Sequence, residues 1–279
     1  MNGFDIITFL SDFGWSGGYV ASCEAAVTRL QPHARVMHIS HEVAVGDVAA
    51  GALILQRVAP LYPPAVHLAV IDPGVGTERL PLAVTTARGD ALVGPDNGLL
   101  LPAADVLGGL TGAWMLTPER VLIRAGLSGG RVSATFHGRD IFAPVAALLS
   151  SAVDPAQYGA PMDPAALVRL PPAISQLTPQ GALAEVIEID RFGNVGLALR
   201  FEDFVPGDGR LSVDVEGEDL PEWSARVVQT YGDLGAGELG VFCDSWGQVA
   251  LALNAASAAQ LLSVERGMMV RLTRSAAGS

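Results

Sequence analysis

The feature that most constrains the fold is an almost wholly apolar run from Val66 to Ile71. A strand that is apolar on both faces is expected to be covered on both sides, as in a parallel sheet. Ahead of it, short β-type runs such as Ile6 to Leu10 alternate with stretches of helical spacing such as Val20 to Leu30. This β-α-β-α-β order predicts an α/β domain with a largely parallel sheet.

The rest of the first half extends this pattern. A second strand is predicted at Val36 to Ile39 and a second helix at Val48 to Val58. Two short strands, Leu82 to Thr86 and Ala91 to Val93, flank a glycine-containing turn and predict a hairpin. A further helix is predicted from Asp140 to Ser151.

The chain has 279 residues, which exceeds the usual size of one domain. Six prolines between Asp154 and Pro179 argue against a long regular element and predict a connection. Beyond Gly181 the pattern is mostly β, with a short helix predicted only near Ala255 to Leu262. We therefore predict an N-terminal α/β domain at 1–153, a proline-rich connection at 154–180 and a small C-terminal β-barrel at 181–279.

Composition bounds the class of ligand. Half of the residues are apolar, and 17 basic against 29 acidic residues leave a net charge of −12 without a Lys/Arg cluster, which argues against nucleic-acid binding. No apolar stretch approaches the ~18 residues of a membrane span. Because the start also lacks the basic region of a signal peptide, we predict a soluble, cytoplasmic protein without a membrane partner. Cys23 and Cys243 form no C-x-x-C motif, and both are predicted to be buried thiols.

The segment from Asp72 to Arg79 places an acid and a guanidinium directly after the most apolar strand. Its glycines, Gly74 and Gly76, permit backbone conformations that let a ligand approach the main chain. The segment lacks the third small residue of a dinucleotide fingerprint and the Lys-Ser/Thr pair of a P-loop. The alternative is a strand-end turn with an Asp–Arg ion pair on the surface.

His137 stands in a second charged segment, beside Arg139 and Asp140. A carboxylate, a guanidinium and an imidazole together can orient and deprotonate a water molecule, which makes hydrolysis the leading prediction. The alternative for His137 is a structural histidine held by hydrogen bonds. His38 and His41 lie three residues apart, but no neighbouring carboxylate or cysteine completes a ligand set, so no metal is predicted.

Two further turns at predicted strand ends can contact a ligand. Asp12 follows the first strand, and the carboxyl end of a strand is where an open α/β sheet usually meets its ligand. A carboxylate there can accept hydrogen bonds from both hydroxyls of a ribose, or it can cap the following helix. Asn97 lies in a turn that also contains Gly98, and its other interpretation is a turn alone.

In the C-terminal half, Asp190, Phe192 and Asn194 place an acid, an aromatic ring and a carboxamide within five residues. Tyr231 and Asn254 offer another aromatic ring and another amide. An aromatic ring with amide groups at its edge is a common way to hold a purine through stacking and hydrogen bonds. Each of these residues alone is a weak signal, because a lone aromatic usually belongs to a core.

Taken together, these segments resemble the S-adenosylmethionine (SAM) hydroxide adenosyltransferase family, the SAM hydrolases, which is related to the fluorinase and chlorinase enzymes. The resemblance runs from about Ile6 to Leu272. Relatives usually carry an acid shortly after the Asp-Phe-Gly, whereas this chain has Trp15 to Gly18 there. The resemblance is carried by six ordered segments: Ser11 to Gly14, Asp72 to Gly76 with Arg79, Pro95 to Leu99, His137 to Asp140, Phe192 to Asn194, and Asn254 to Ser257.

The resemblance implies an α/β N-terminal domain, a β-barrel C-terminal domain, and a homotrimer with sites between the N-terminal domain of one subunit and the C-terminal domain of the next. It implies hydrolysis of SAM to adenosine and L-methionine by water that attacks the ribose C5′, with no cofactor and no metal. The family's catalytic Asp–Arg–His set matches Asp72, Arg79 and His137. The implied substrate-binding residues are Asp12 at the ribose, Phe192, Asn194 and Tyr231 near the adenine, Asp190 and Ser245 at the methionine portion, and Asn97, Asn254 and Ala256.

Three alternatives stay open. One is a chlorinase-like, SAM-dependent halogenase, in which the position of Asp72 is an uncharged aromatic; a fluorinase also carries serine at the position of Gly138. A carboxylate about 4 Å from a halide costs on the order of 4 kcal/mol at an intermediate dielectric, which disfavours halide use. A non-catalytic sensor would bind SAM or adenosine without turnover. A metal-dependent hydrolase would be built on Asp12, Asp72, Asp96 and His137.

Overall fold

The structure is a computed structural model that describes residues 3–127, 129–204, 209–217 and 222–274. It divides the chain into two compact units, Met1–Leu170 and Pro171–Ser279. The boundary falls inside the proline-rich stretch at 154–180. Each unit has its own sheet and its own hydrophobic core.

The first unit is built on a seven-stranded sheet, whose described strands are β1 (Ile6–Ser11), β2 (Arg35–Ser40), β3 (Val66–Val70), β4 (Pro81–Thr86), β5 (Ala91–Pro95), β6 (Leu110–Leu116) and β7 (Gly159–Pro161). Their order across the sheet is β2-β1-β3-β5-β4-β6-β7. Strands β1, β2, β3, β5 and β6 run in one direction, and β4 and β7 run in the other. The predicted α/β class with a largely parallel sheet is therefore confirmed, as is the predicted hairpin of β4 and β5.

The described helices of this unit are α1 (Tyr19–Leu30), α2 (Val48–Val58), α3 (Leu101–Val106), α4 (Pro118–Arg124) and α5 (Ala143–Ser150). The sequence predicts α1 and α2 to within one residue at each end. A π-helical turn at Gly138–Phe142 leads into α5, so the helix predicted from Asp140 begins in π geometry. The sequence did not predict α3 and α4, because helices of 6 and 7 residues are too short to show a periodic pattern.

Strand β3 is buried at every position, as its apolar sequence predicts. Alternate side chains point to opposite faces of a strand. Val66 and Val70 pack in a core cluster with α1 and α5, whereas Ala69 and Ile71 pack in a second cluster with α2 and α3. On α2, Gly51 lies so close to the sheet that a Cβ atom there would be 2.0 Å from Ile71 Cδ1. Helices on both faces therefore fix the carboxyl end of β3 firmly.

The second unit is a closed barrel of seven described strands, β9 (Gly181–Ile189), β10 (Val195–Arg200), β11 (Arg210–Val215), β12 (Trp223–Val227), β13 (Leu239–Cys243), β14 (Gln248–Leu253) and β15 (Met269–Arg274). The order around the barrel is β9-β10-β14-β13-β12-β11-β15, and β15 pairs with β9 to close it. Strand β8 (Ser175–Thr178) adds to β9 from outside. The described α-helices of this unit are α6 (Phe201–Phe204) and α7 (Ala258–Leu262), and a 3₁₀ turn lies at Tyr231–Asp233. The predicted barrel is confirmed.

The two cysteines differ in their surroundings. Cys23 is buried in the first core, and burial raises the pKa of its thiol to about 12. Cys243 is exposed, so the prediction of a buried thiol there was wrong. The reason is its place as the last residue of β13, where the buried part of the strand ends. Neither thiol forms a disulfide.

The sequence also predicts that no segment spans a membrane. Across the described ranges, no helix is both long enough and apolar enough to cross a membrane.

Candidate active site

Two predicted site carboxylates follow strands that end at the same edge of the sheet. Strands β1 and β3 are parallel neighbours, with Ser11 paired to Val70, so Asp12 and Asp72 follow adjacent strand ends. In open α/β sheets, ligands bind at the carboxyl ends of the strands. A ligand of the first unit is therefore expected at this edge of its sheet.

Asp72 and Arg79 form a bidentate ion pair. Arg79 Nε donates to Asp72 Oδ1 at 2.9 Å, and Nη2 donates to Oδ2. Each side chain is only 7% exposed, so this is not the surface ion pair of the alternative interpretation. A buried charge is costly to desolvate, and the two hydrogen bonds between these side chains offset part of that cost.

His137 joins the pair from another part of the chain. Its Nδ1 lies 3.0 Å from Arg79 Nη2. Because a guanidinium only donates hydrogen bonds, Nδ1 must accept, and the ring proton of a neutral imidazole then sits on Nε2. Burial and the charge of Arg79 lower the pKa of His137, against the opposing charges of Asp72 and Asp140. The imidazole is therefore neutral near pH 7.

One nitrogen of the guanidinium lacks an acceptor in the part of the chain that the structure describes. Arg79 Nη1 is buried and has no hydrogen-bond partner among the described residues. The guanidinium carbon lies 5.3 Å from the centre of the Phe142 ring, which restricts how the group can turn. A buried N–H without an acceptor is costly, and an oxygen atom of a bound water or substrate would satisfy it.

Two backbone segments bring Arg79 and His137 together. Gly76 has a φ of +78°, and a Cβ atom there would lie 2.6 Å from the carbonyl oxygen of Ala134. The turn after β3 thus packs directly on the segment that ends in His137. Asp140 holds that segment, because its Oδ2 accepts from the Ser133 backbone N–H at 2.8 Å. His137 is the last residue before the π-helical turn, a geometry found often at functional sites.

Asp12 and Asn97 are engaged with the backbone. Asp12 Oδ2 accepts from the Gly46 N–H at 2.8 Å, and α1 has no side-chain cap, so Asp12 is not a helix cap. Asn97 Nδ2 donates to the Ile71 carbonyl at 2.8 Å, and its Oδ1 accepts from the Leu99 N–H. Asn97 therefore supports the main chain directly before Asp72, and Asp12 fixes the loop at the end of β1.

The second unit contains a cavity of about 490 Å³. Four of the predicted substrate-binding residues line it: Asp190, Asn194, Tyr231 and Ser245. The other lining residues are Glu188, Gly196, Gln229, Thr230, Phe242, Cys243, Asp244, Trp246 and Ala250. Carboxylates and aromatic rings thus share the lining, which suits a ligand that carries both a positive charge and a planar ring.

Asp190 organises the turn that enters this cavity. Its Oδ1 accepts from the backbone N–H groups of Phe192 and Asn194, each at 2.9 Å. Its Oδ2 accepts from Asn194 Nδ2 at 2.7 Å. The carboxylate therefore holds the carboxamide of Asn194 in one orientation.

Three predicted residues lie outside the cavity lining. Phe192 is 75% exposed. Asn254 Nδ2 donates to the Leu234 carbonyl at 2.9 Å, and Ala256 forms an isolated bridge with Leu253. None of these three residues lines the cavity that the other four share.

Sequence reasoning missed the contacts around two histidines. His38 Nε2 lies 3.1 Å from Glu24 Oε1, and His67 Nε2 lies 3.2 Å from Asp90 Oδ1. Both carboxylates are distant in sequence, and no local signal could have found them. Among the described residues, no group of three or more His, Cys, Asp or Glu side chains could hold a metal ion.

Comparisons with known proteins agree on one family. The N-terminal domain model of the SAM hydroxide adenosyltransferases matches residues 7–159, and the C-terminal domain model matches residues 184–271. The (R)-S-adenosyl-L-methionine hydrolase of Salinispora tropica is 46% identical over 268 residues, which cover 96% of this chain and 97% of that protein. The fluorinase of Actinopolyspora mzabensis is 27% identical, with 97% of each chain covered. The crystal structure of an uncharacterized conserved protein from Thermotoga maritima has a TM-score of 0.86 and 32% identity, covering 96% of this chain and 100% of that one.

Proposed function

Because the chain belongs to the SAM hydroxide adenosyltransferase family, we propose that it is an enzyme that hydrolyses S-adenosyl-L-methionine to adenosine and L-methionine. The observation that carries this proposal is the buried cluster of Asp72, Arg79 and His137, with one guanidinium nitrogen left without a partner among the described residues. We propose these three as the catalytic residues.

The chemistry requires an aligned nucleophile more than an acid. The sulfonium of SAM is a good leaving group, but water is a poor nucleophile with a pKa of about 15.7. Arg79 Nη1 can donate to the oxygen of a bound water and favour the hydroxide that develops as the water attacks C5′. Holding the oxygen in line with carbon and sulfur lowers the barrier further, because the entropy of alignment is lost before the reaction.

The hydrogen bonds favour Asp72 over His137 as the proton acceptor. The Nδ1 lone pair of His137 is occupied by Arg79, and its Nε2 carries the ring proton. Each carboxylate oxygen of Asp72 accepts one bond from Arg79 and keeps a second lone pair. We propose that Asp72 takes the proton and that His137 orients the guanidinium. A positioned base typically contributes ~10²–10⁴-fold in rate.

We assign the remaining predicted residues to different portions of the substrate. We propose that Asp12 contacts the ribose and that the cavity of the second unit holds the adenine and methionine portions. The acidic lining of that cavity, from Glu188, Asp190 and Asp244, suits the cationic SAM. We further propose a homotrimer in which the first unit of one copy and the second unit of its neighbour share each site, and a cytoplasmic location.

The full chain incubated with SAM, with and without chloride and with and without a chelator, tests the activity by chromatography. We expect adenosine and methionine under all four conditions, because the proposed chemistry uses water and the protein's own groups. 5′-Chloroadenosine would assign a halogenase. SAM bound without any product would indicate a sensor, and activity lost on chelation would indicate a metal-dependent hydrolase.

A further inference from the structure

A chain of hydrogen bonds runs from the end of β1 to the surface of α1. Ser11 Oγ lies 2.7 Å from His41 Nδ1, and His41 Nε2 lies 2.8 Å from His38 Nδ1. His38 Nε2 in turn lies 3.1 Å from Glu24 Oε1. Ser11 and His41 are fully buried, whereas the Glu24 side chain is 39% exposed. We call this series the Ser11–Glu24 chain.

When both imidazoles are neutral, the donors and acceptors of this chain have one consistent direction. An ionised Glu24 only accepts, so His38 donates from Nε2 and accepts at Nδ1. His41 must then donate from Nε2 and accept at Nδ1 from the Ser11 hydroxyl. The Ser11 oxygen in turn accepts from the Phe13 backbone N–H at 3.3 Å. Each neutral imidazole thus makes one bond as donor and one as acceptor, and the carboxylate fixes both tautomers.

The surroundings of His41 keep it neutral. Its ring centre lies 4.6 Å from that of Phe9 and 4.6 Å from that of Trp15, both in edge-to-face contact. Burial and the neighbouring His38 lower the pKa of His41 to about 4. Among the described residues, the titratable groups that hydrogen-bond either imidazole are Glu24 and the other imidazole.

His41 makes two hydrogen bonds to the loop that carries Asp12. Its side chain binds Ser11, the residue before Asp12, and its backbone carbonyl accepts from the Gly14 N–H at 2.8 Å. Between these points, Asp12 Oδ2 accepts from the Gly46 N–H. The two histidine contacts thus bracket the carboxylate on both sides along the chain.

We infer that His41 is a positioning residue that holds the Asp12 loop in its ligand-binding conformation, and that Glu24, through His38, fixes the tautomer His41 needs. This inference rests on the proposed contact between Asp12 and the ribose. His41 itself touches no substrate; it acts through Ser11 and the loop. The two histidines are thereby explained as a hydrogen-bonded support for the Asp12 loop.

A double-mutant cycle on SAM hydrolysis tests the inference. His41→Phe fits the aromatic surroundings but makes neither side-chain hydrogen bond, so we expect kcat/KM to fall about tenfold, mainly through a higher KM. In a background of Asp12→Ala, His41→Phe should cause no further loss, because the loop then has no carboxylate to place. His33→Phe is the control, because His33 is exposed and is not part of the Ser11–Glu24 chain. This variant should match the wild type.

Two outcomes overturn the inference: His41→Phe kinetics equal to those of the wild type, or effects of His41→Phe and Asp12→Ala that multiply independently. Should His41→Phe not fold, the surface residue Glu24 gives a second comparison. Glu24→Leu removes the acceptor of His38 and should raise KM about two- to fivefold, whereas Glu24→Gln keeps an acceptor oxygen and should restore it. Equal KM values for these two variants would also refute the inference.

A different result would refute the proposed function. A wild type that forms no adenosine refutes the hydrolase, and the same cycle is then read as adenosine affinity by calorimetry. Loss of affinity in His41→Phe that disappears in the Asp12→Ala background still supports the inference, and independent losses still contradict it.

Discussion

At the scale of the residue, the groups buried beside a carboxyl determine its pKa. Asp90 is fully buried, yet it accepts from Arg88 twice, from His67 and from the Ala65 N–H. Burial raises the pKa of this carboxyl, but the hydrogen bonds from Arg88 and His67 outweigh it and leave the pKa well below its usual range. Thr8 completes the group through His67 Nδ1 at 2.8 Å.

Asp90→Asn should therefore destabilise the protein by about 3 kcal/mol, since it leaves buried donors without a charged partner. Because the native pKa is depressed, the stabilisation is complete above the unfolded value of about 4 and declines progressively as the pH falls from there through the native one. Urea unfolding at pH 7 and at pH 3 measures both. Asp105→Asn, in an exposed pair with Arg169, is the control and should cost less than about 1 kcal/mol. Equal losses in the two variants would contradict this account.

Asp72→Asn should lower kcat by ~10²–10⁴-fold while SAM still binds, because the amide keeps the size of the carboxylate but cannot take a proton from water. Single-turnover rates and calorimetric SAM binding separate the two effects. A variant with near wild-type kcat would remove Asp72 as the base.

The low pKa of His137 predicts the acid side of the pH profile. Its neutral form accepts from Arg79, and burial and Arg79 both keep the added proton away. We expect kcat/KM for SAM to hold its plateau as the pH falls through about 6.5, where an ordinary histidine titrates. An acid limb centred at or above that value would show that His137 titrates normally.

At the scale of the element, the site depends on two loops that pack backbone to backbone. The turn after β3 carries Arg79, and the segment before the π-helical turn carries His137. Gly76 allows their contact, because it has a positive φ and no room for a side chain beside the Ala134 carbonyl.

Gly76→Ala should therefore separate Arg79 from His137 and lower kcat for SAM hydrolysis at least about tenfold, since the Cβ atom needs space that backbone occupies. Gly89→Ala is the matched control. Gly89 also has a positive φ, of 99°, but nothing lies within 4 Å of the Cβ position. Both variants carry backbone strain, so equal activity in the two would mean that the loop contact does not matter.

At the scale of the whole molecule, the proposed trimer makes a prediction about mixed subunits. Asp72→Asn impairs the first unit, and Asp190→Ala releases the turn of Asn194 in the second. Each variant alone should be nearly inactive. Co-expressed in equal amounts, they should regain about one quarter of the wild-type activity, because a shared site receives both intact halves in about one case of four.

Sedimentation of the same samples reports the oligomer. A trimer with no recovered activity would indicate that each site is complete within one chain. A monomer that is fully active would refute the proposed assembly.

Much of the fold followed from local pattern. The apolar run at Val66 to Ile71, the helical spacing of α1 and α2 and the alternation beyond Gly181 indicate the α/β unit and the β-barrel, because side-chain periodicity reports burial directly. Short elements such as α3 carry too few residues for a period. The π-helical turn after His137 was not predicted, because the sequence pattern there predicts only an ordinary helix from Asp140.

The sequence by itself determined the fold class, the chemical types at the ends of the strands and the resemblance that they carry. Only the tertiary structure decided which of them meet. Arg79 reaches His137 across 58 residues, and His38 finds a carboxylate that its neighbours in sequence do not supply. The physical reason is that periodicity is a property of one segment, whereas hydrogen bonds and burial depend on segments that approach each other only when the chain is folded.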